Sequence, residues 1–238
     1  MDIKAIGFDI GQTLINYNKP LSWKSLFPAA LEKVFANCQI EMTQSGLEAA
    51  IGVLSKYNTR ENYREVEVSS DIIFKEIFDA YRIDYNQINT TLAKESFYGF
   101  FQADAACFDD AKQALAGLAA KNISMGFLTD VAYGMDNIYS LRDISEIRGY
   151  FAVGFTSVDI GFRKPNITGF KKLLEAFDVS PTHTMYVGDE EKDIIGANAA
   201  GIISVLINRS GEAKNWGQNF TINNLNKVFT LMGKSGNK

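Results

Sequence analysis

The stretch Ile3-Lys4-Ala5-Ile6-Gly7-Phe8-Asp9-Ile10-Gly11-Gln12-Thr13-Leu14 begins as an apolar run broken only by Lys4 and ends in a small polar loop. Three further runs of this kind recur along the chain. Ile123 to Leu128 precedes Thr129-Asp130, Thr184 to Val187 precedes Gly188-Asp189, and Ile202 to Ile207 precedes Asn208-Arg209. A weaker run, Phe151 to Phe155, lies between the second and third. Apolar runs without polar alternation suit parallel strands covered on both faces.

Helical patterns fill the intervals. Asp110 to Lys121 places Ala111, Ala114, Leu115 and Leu118 on one face, and Asn166 to Phe177 does the same with Ile167, Phe170, Leu174 and Phe177. Asp193 to Ala200 is small and apolar, with Gly201 placed to end it. Strand and helix in alternation predict an α/β core with a doubly wound parallel, Rossmann-like sheet. In such sheets the ligand site lies beyond the carboxyl ends of the strands, where Asp9, Thr129 and Gly188-Asp189 all fall. From about Tyr17 to Ala105 the pattern changes. Phe27, Leu31, Val34 and Phe35, then Ile73, Ile77, Phe78 and Tyr81, keep helical spacing with no convincing strand between them. We therefore expect residues 1–16 and 106–238 to form the core and 17–105 an inserted helical cap domain, with the polar end from Gly233 frayed.

Composition narrows the function classes. The 238 residues are 46% hydrophobic and 22% charged, with room for a full core and a second, smaller domain. No apolar run approaches the length needed to span a bilayer, and the first strand does not read as a signal peptide. A net charge of -4 gives no basic footprint for nucleic acid. Cys38 and Cys107 lie far apart without metal-ligand spacing and read as reduced thiols, which suits a cytoplasmic protein.

The strand ends carry residue types that fit phosphate chemistry. A carboxylate such as Asp9 can attack phosphorus and divide one difficult hydrolysis into two easier steps. Two carboxylates in one crevice repel unless a cation sits between them, and Mg²⁺, hard and oxygen-seeking, suits that place. A Thr hydroxyl and a Lys ammonium can hold the remaining phosphate oxygens. Asp189 and Asp193 are one helical turn apart and can share a target if a helix starts between them. Each residue alone has a plainer role: Asp9 as a helix N-cap, Thr129 as a turn residue, Lys164 as a solvated helix start, Asp193 as a helix cap.

Taken in order, Asp-x-x-x-Thr-Leu from Asp9, a strand ending in Thr129, Lys164-Pro165, and Gly188-Asp189-x-x-x-Asp193 before a helix ending Ala-Gly resemble the haloacid dehalogenase superfamily. The resemblance implies Asp9 as nucleophile and metal ligand, with the Gly11 carbonyl and Asp189 as further ligands of Mg²⁺. It implies Thr129 and Lys164 at the phosphate, and Asp193 as a ligand or an orienter of ligands. The implied activity is a phosphatase-type hydrolysis of a small phosphorylated substrate.

One position departs from that pattern. Family phosphatases carry an aspartate two residues after the nucleophile, and here that residue is Gly11. General acid/base help of about 10²–10⁴-fold is then missing from this loop. Three readings stand: a substrate with a good leaving group, a proton from the cap or the substrate, or a scaffold that binds without turnover. Dehalogenation of 2-halo acids, which also lacks the second aspartate, is a further alternative. In the cap, Arg60 and Arg64 stand four apart and can read an anionic substrate, or else pair with Glu61 and Glu65 on a solvated face.

Overall fold

The computed structural model describes residues 1–19 and 23–233, so the end expected to fray lies, from residue 234 on, outside the described residues. The chain forms two compact units: Met1–Asn16, Ala106–Asp130 and Ile144–Lys238 make one, and Tyr17–Ala105 with Val131–Asp143 makes the other.

The first unit is built on β1 (Ala5–Phe8), β4 (Ser124–Thr129), β5 (Val153–Thr156), β6 (Thr184–Gly188), β7 (Ile203–Ile207) and β8 (Phe220–Ile222). These pair in the order β5-β4-β1-β6-β7-β8, and all five pairings are parallel. The short strands β2 (Ile15–Tyr17) and β3 (Ala105–Cys107) pair separately where the chain leaves the first unit and returns to it. From β1 the chain builds outward to β4 and β5, then returns to the other side for β6, β7 and β8. That reversal puts the topological switch point beside β1, where open α/β sheets bind ligands.

The helices of this unit are α5 (Asp109–Ala120), α7 (Ser157–Ile160), α8 (Ile167–Phe177), α9 (Glu191–Ala199) and α10 (Val228–Met232). Phe170, Leu173 and Phe177 of α8 pack on Ala5, Leu128 and Tyr186 of the sheet, together with Ala197 of α9. Small residues in β1 allow this: a β-carbon on Gly7 would stand 2.6 Å from Leu173 and 2.9 Å from the Tyr186 ring. Each large apolar side chain buried here stabilises the fold by about 1.5–3 kcal/mol in transfer terms.

The second unit is helical, with α1 (Phe27–Asn37), α2 (Gln44–Tyr57), α3 (Ser70–Ala80), α4 (Thr90–Gln102) and the single turn α6 (Asn137–Ser140). Phe27, Leu31, Val34 and Phe35 of α1 and Ile73, Ile77 and Phe78 of α3 are all buried. Phe97 and Tyr98 of α4 meet Phe74 edge to face. The sequence pattern kept residues 131–143 with the sheet, whereas in the structure they cluster with these helices. Polar ties account for it. The Tyr98 hydroxyl donates to the Tyr133 carbonyl at 3.0 Å and Gln102 to that of Tyr139 at 3.0 Å. Lys94 and Ser70 both bind the Asp136 carboxylate, at 3.0 and 2.8 Å. No helix among the described residues is long and apolar enough to cross a membrane.

Candidate active site

Asp9 is the first residue past β1, and its amide donates to the Val187 carbonyl at 2.9 Å, so the neighbouring strand fixes where the carboxylate emerges. The chain then folds back at once. Leu14 and Ile15 amides both bond to the Ile10 carbonyl, at 2.8 and 3.0 Å, and Gln12, with φ of 56°, makes the reversal. No helix begins at Asp9, so the helix-cap reading of that residue does not apply. Thr13 is buried, and its hydroxyl donates to Asp189 Oδ1 at 3.1 Å.

Lys164 lies between α7 and α8 and is 3% exposed, far from a solvated helix start. Its ammonium donates to Asp9 Oδ1 and to Asp193 Oδ1, both at 2.6 Å, and to the Leu128 carbonyl at 3.3 Å. Tyr186 completes the cradle: its hydroxyl donates to the Leu128 carbonyl at 2.6 Å and stands 3.3 Å from the Lys164 nitrogen. Burial works against the lysine charge, but Asp193 and Asp9 outweigh it and hold its pKa well above the usual value.

Asp193 is fully buried on the first turn of α9, which begins between Asp189 and Asp193. Its Oδ2 accepts the Glu190 amide at 3.0 Å while Oδ1 takes Lys164, so it caps its helix and orients the lysine together. Glycine is required at 188, since a β-carbon there would lie 2.4 Å from the Asp193 carboxyl carbon. Asp9, Asp189 and Asp193 each offer an oxygen within 4.8 Å of the others. Lys164 sets one positive charge against these three carboxylates. Burial, and then repulsion from Asp9 and Asp193, push Asp189 well above the usual carboxylate range. Burial likewise raises Asp193 to about 6, with Lys164 opposing it. A cluster of hard oxygens carrying excess negative charge is the donor set that suits a small divalent cation.

Thr129 ends β4 and is buried; by the register Phe8–Phe127, Asp9 lies level with Leu128 and Thr129 one residue beyond. Gly11 forms a single bridge with Ile15 in the loop. Arg60 and Arg64 lie in the helical unit. Arg60 is exposed. Arg64 is committed: Nη1 donates to the Tyr57 carbonyl at 2.7 Å and Nη2 to Glu67 Oε1 at 3.0 Å. Its carboxylate partner is thus Glu67, not the Glu61 or Glu65 that sequence spacing suggested.

Sequence reasoning passed over Asp130. Its Oδ1 accepts the Lys164 amide at 3.0 Å, and its Oδ2 lies 3.0 Å from Lys192 and 3.8 Å from Arg163. Burial raises its pKa, but Lys192, Arg163 and Lys164 reverse this and bring it to about 2. It was also silent on Tyr186, although a phenol within a fully buried strand signals a hydroxyl that must find a partner.

Known proteins bear on this arrangement. The family model for haloacid dehalogenase-like hydrolases matches residues 6–207. Phosphatase MT3486 of Mycobacterium tuberculosis is 27% identical over 114 residues, 48% of this chain and 52% of that protein, so the match spans about half of each. Pyrophosphatase PpaX of Bacillus mycoides is 23% identical over 207 residues, 87% of this chain and 84% of its own. Among solved structures, a 2-haloacid dehalogenase from Pseudomonas syringae superposes with a TM-score of 0.69 at 22% identity, covering 97% of this chain and 98% of its own, a likeness of fold. With a doubly wound parallel sheet, an inserted helical unit and a family match over residues 6–207, the chain belongs to the haloacid dehalogenase-like hydrolases.

Proposed function

We propose that the protein is a Mg²⁺-dependent phosphatase-type hydrolase of a small phosphorylated metabolite, acting through an aspartyl-phosphate on Asp9. The observation that carries this reading is the meeting, at one point, of charged side chains from three separate stretches of the chain: the end of β1, the segment between α7 and α8, and the turn from β6 into α9. Asp9, Lys164 and Asp193 are joined by two 2.6 Å ion pairs, with an Asp189 oxygen within 4.8 Å of those of Asp9 and Asp193. Asp9, the Gly11 carbonyl, Asp189 and Asp193 are the groups that would hold Mg²⁺. Bound there, the ion would offset carboxylate repulsion and draw a phosphate oxygen towards Asp9. Asp193 already has both oxygens engaged, so we assign it mainly to orienting Lys164 and leave Asp189 as the freer ligand.

Lys164 has two roles in this scheme. It fixes Oδ1 of Asp9, leaving Oδ2 to attack phosphorus, and it supplies positive charge as the phosphoryl group takes on negative charge. Thr129, one residue further along the neighbouring strand, would bind a phosphate oxygen. Gly11 supplies no proton, so we favour substrates whose leaving group departs as a stable anion. A relative bearing the name pyrophosphatase is consistent with that class, since pyrophosphate is an anhydride. Arg60 remains a candidate for an anionic part of the substrate, and Arg64 a weaker one. Two free cysteines suit a reducing, cytoplasmic setting.

The test is hydrolysis of an aryl phosphate with Mg²⁺ by wild type, Asp9→Asn and Gly11→Asp. We expect turnover that EDTA and Asp9→Asn each abolish. Activity surviving both sinks the mechanism. No wild-type turnover, with some gained in Gly11→Asp, favours a phospho-ligand or protein-binding module, the reading that Gly11 itself keeps open. Turnover of a 2-halo acid without metal would make the protein a dehalogenase.

A further inference from the structure

Arg209 follows β7 and lies apart from the carboxylate cluster, yet it grips the loop that carries Asp9. Its guanidinium makes a fork on Asp110, Nη1 to Oδ2 at 2.9 Å and Nη2 to Oδ1 at 3.0 Å. The same Nη2 donates to the Thr13 carbonyl at 3.0 Å. The fork is itself held from two more sides. The guanidinium carbon sits 3.8 Å from the Phe108 ring centre, and Asp110 Oδ2 also accepts the Leu225 amide at 2.9 Å. Phe108 in turn donates its amide to the Leu14 carbonyl at 3.0 Å. Two successive carbonyls of the loop are therefore tied to one assembly on the α5 side of the sheet.

We propose that Arg209 is a positioning residue for the cation site. Holding the Thr13 carbonyl sets how far the loop stands from the strand ends. That placement governs the Thr13 hydroxyl, which binds Asp189 at 3.1 Å, and the Gly11 carbonyl two residues earlier. The inference rests on the reading of the carboxylate cluster as a Mg²⁺ site. Arginine is needed rather than lysine, because one ammonium cannot span a carboxylate fork and a carbonyl in the same plane. Groups that orient metal ligands typically change metal affinity by about 10–100-fold when lost.

The experiment is calorimetric titration of the full chain with Mg²⁺ alone, with thermal melts in EDTA recording stability separately. Arg209→Gln should bind Mg²⁺ about tenfold more weakly than wild type, and Arg209→Lys should also weaken it while keeping the charge. Arg142→Gln is the control. It removes a comparable fork, on Glu95 in the helical unit, and should leave Mg²⁺ affinity unchanged. If Arg209→Gln does not fold, Arg209→Lys decides alone. Wild-type affinity in the Arg209 variants, whatever their melting temperatures, overturns the positioning role and leaves the cation site standing. A wild type that binds no Mg²⁺ overturns the cation reading and this inference with it.

Discussion

Replacing Lys164 by Met keeps the volume of the side chain and removes the only ammonium bonded to Asp9 and Asp193 among the described residues. Each ion pair is 2.6 Å long and sits in a side chain that is 2% exposed. At an effective dielectric near 20, each such contact is worth roughly 6 kcal/mol gross. The cost of taking the lysine out of water offsets much of that, so the net loss is better judged from what is left behind. Two buried carboxylates lose their counter-charge, and a third stands within 4.8 Å. Breaking a buried pair in this way typically costs about 3–5 kcal/mol. We expect urea unfolding in EDTA to show that loss, with an unchanged slope. Mg²⁺ binding only the folded state adds about 2.7 kcal/mol at a hundredfold excess over Kd. Lys164→Met should gain at least as much from Mg²⁺ as wild type, since its uncompensated negative charge is greater. A loss below about 1 kcal/mol in EDTA, the range of an exposed pair, would refute the view that Lys164 holds the cluster together.

Asp130→Asn keeps an acceptor for the Lys164 amide but removes the charge facing Lys192 and Arg163. The Asp130 pKa falls from 3.8 to about 2 on folding, worth about 2 kcal/mol. Because the folded value is the lower one, that stability is present above pH 3.8 and fades as pH falls towards 2. Urea midpoints of wild type and Asp130→Asn should therefore differ at pH 7 and converge between pH 4 and 2. Gly188→Ala places a β-carbon 2.4 Å from Asp193 and should cost about 1–3 kcal/mol, read as a lower melting temperature with reduced Mg²⁺ affinity. Arg64→Ala takes the guanidinium from Glu67, whose side chain is 3% exposed and keeps the Val68 amide, and should destabilise by about 1.5–3 kcal/mol. Arg60→Ala should leave the melting temperature alone and raise KM for an anionic substrate; an unchanged KM retires that residue from recognition.

The strands that build the site were legible because each is apolar enough to stand out alone. Ile3 to Phe8 and Thr184 to Val187 contain β1 and most of β6, and the residue types at their ends announced a common purpose. Elements of three residues left no such trace. Phe220–Ile222 and Ala105–Cys107 become strands through the partners the fold supplies, β7 and β2, not through any period of their own. Residues 131–143 went to the sheet because they follow a strand, while their hydrogen bonds reach back to α3 and α4 through residues 35 to 66 positions earlier. Arg64 illustrates a related limit. Nearness in sequence offered Glu61 and Glu65 on a solvated face, but the irregular chain after α2 brings Glu67 to it.

The same long-range ties explain how Gly11 can depart from the family pattern without disturbing the rest of the site. Asp9 is fixed by Lys164 across 155 positions, Thr13 by Asp189 across 176 and by Arg209 across 196. The loop between them closes on its own backbone, with the Ile10 carbonyl taking two amides. None of these contacts uses a side chain at position 11. On the proposed mechanism, holding a cation and a phosphate is therefore separable from supplying a proton to the leaving group. The first would rest on the sheet, the lysine cradle and, as proposed, the Arg209 fork; the second would rest on one side chain of the loop. On that mechanism, glycine at 11 keeps the frame of the site while the rate depends on how readily the leaving group departs unaided. Turnover should then fall steeply from acyl and aryl phosphates to alkyl phosphates, while Mg²⁺ affinity, set by the frame, stays the same.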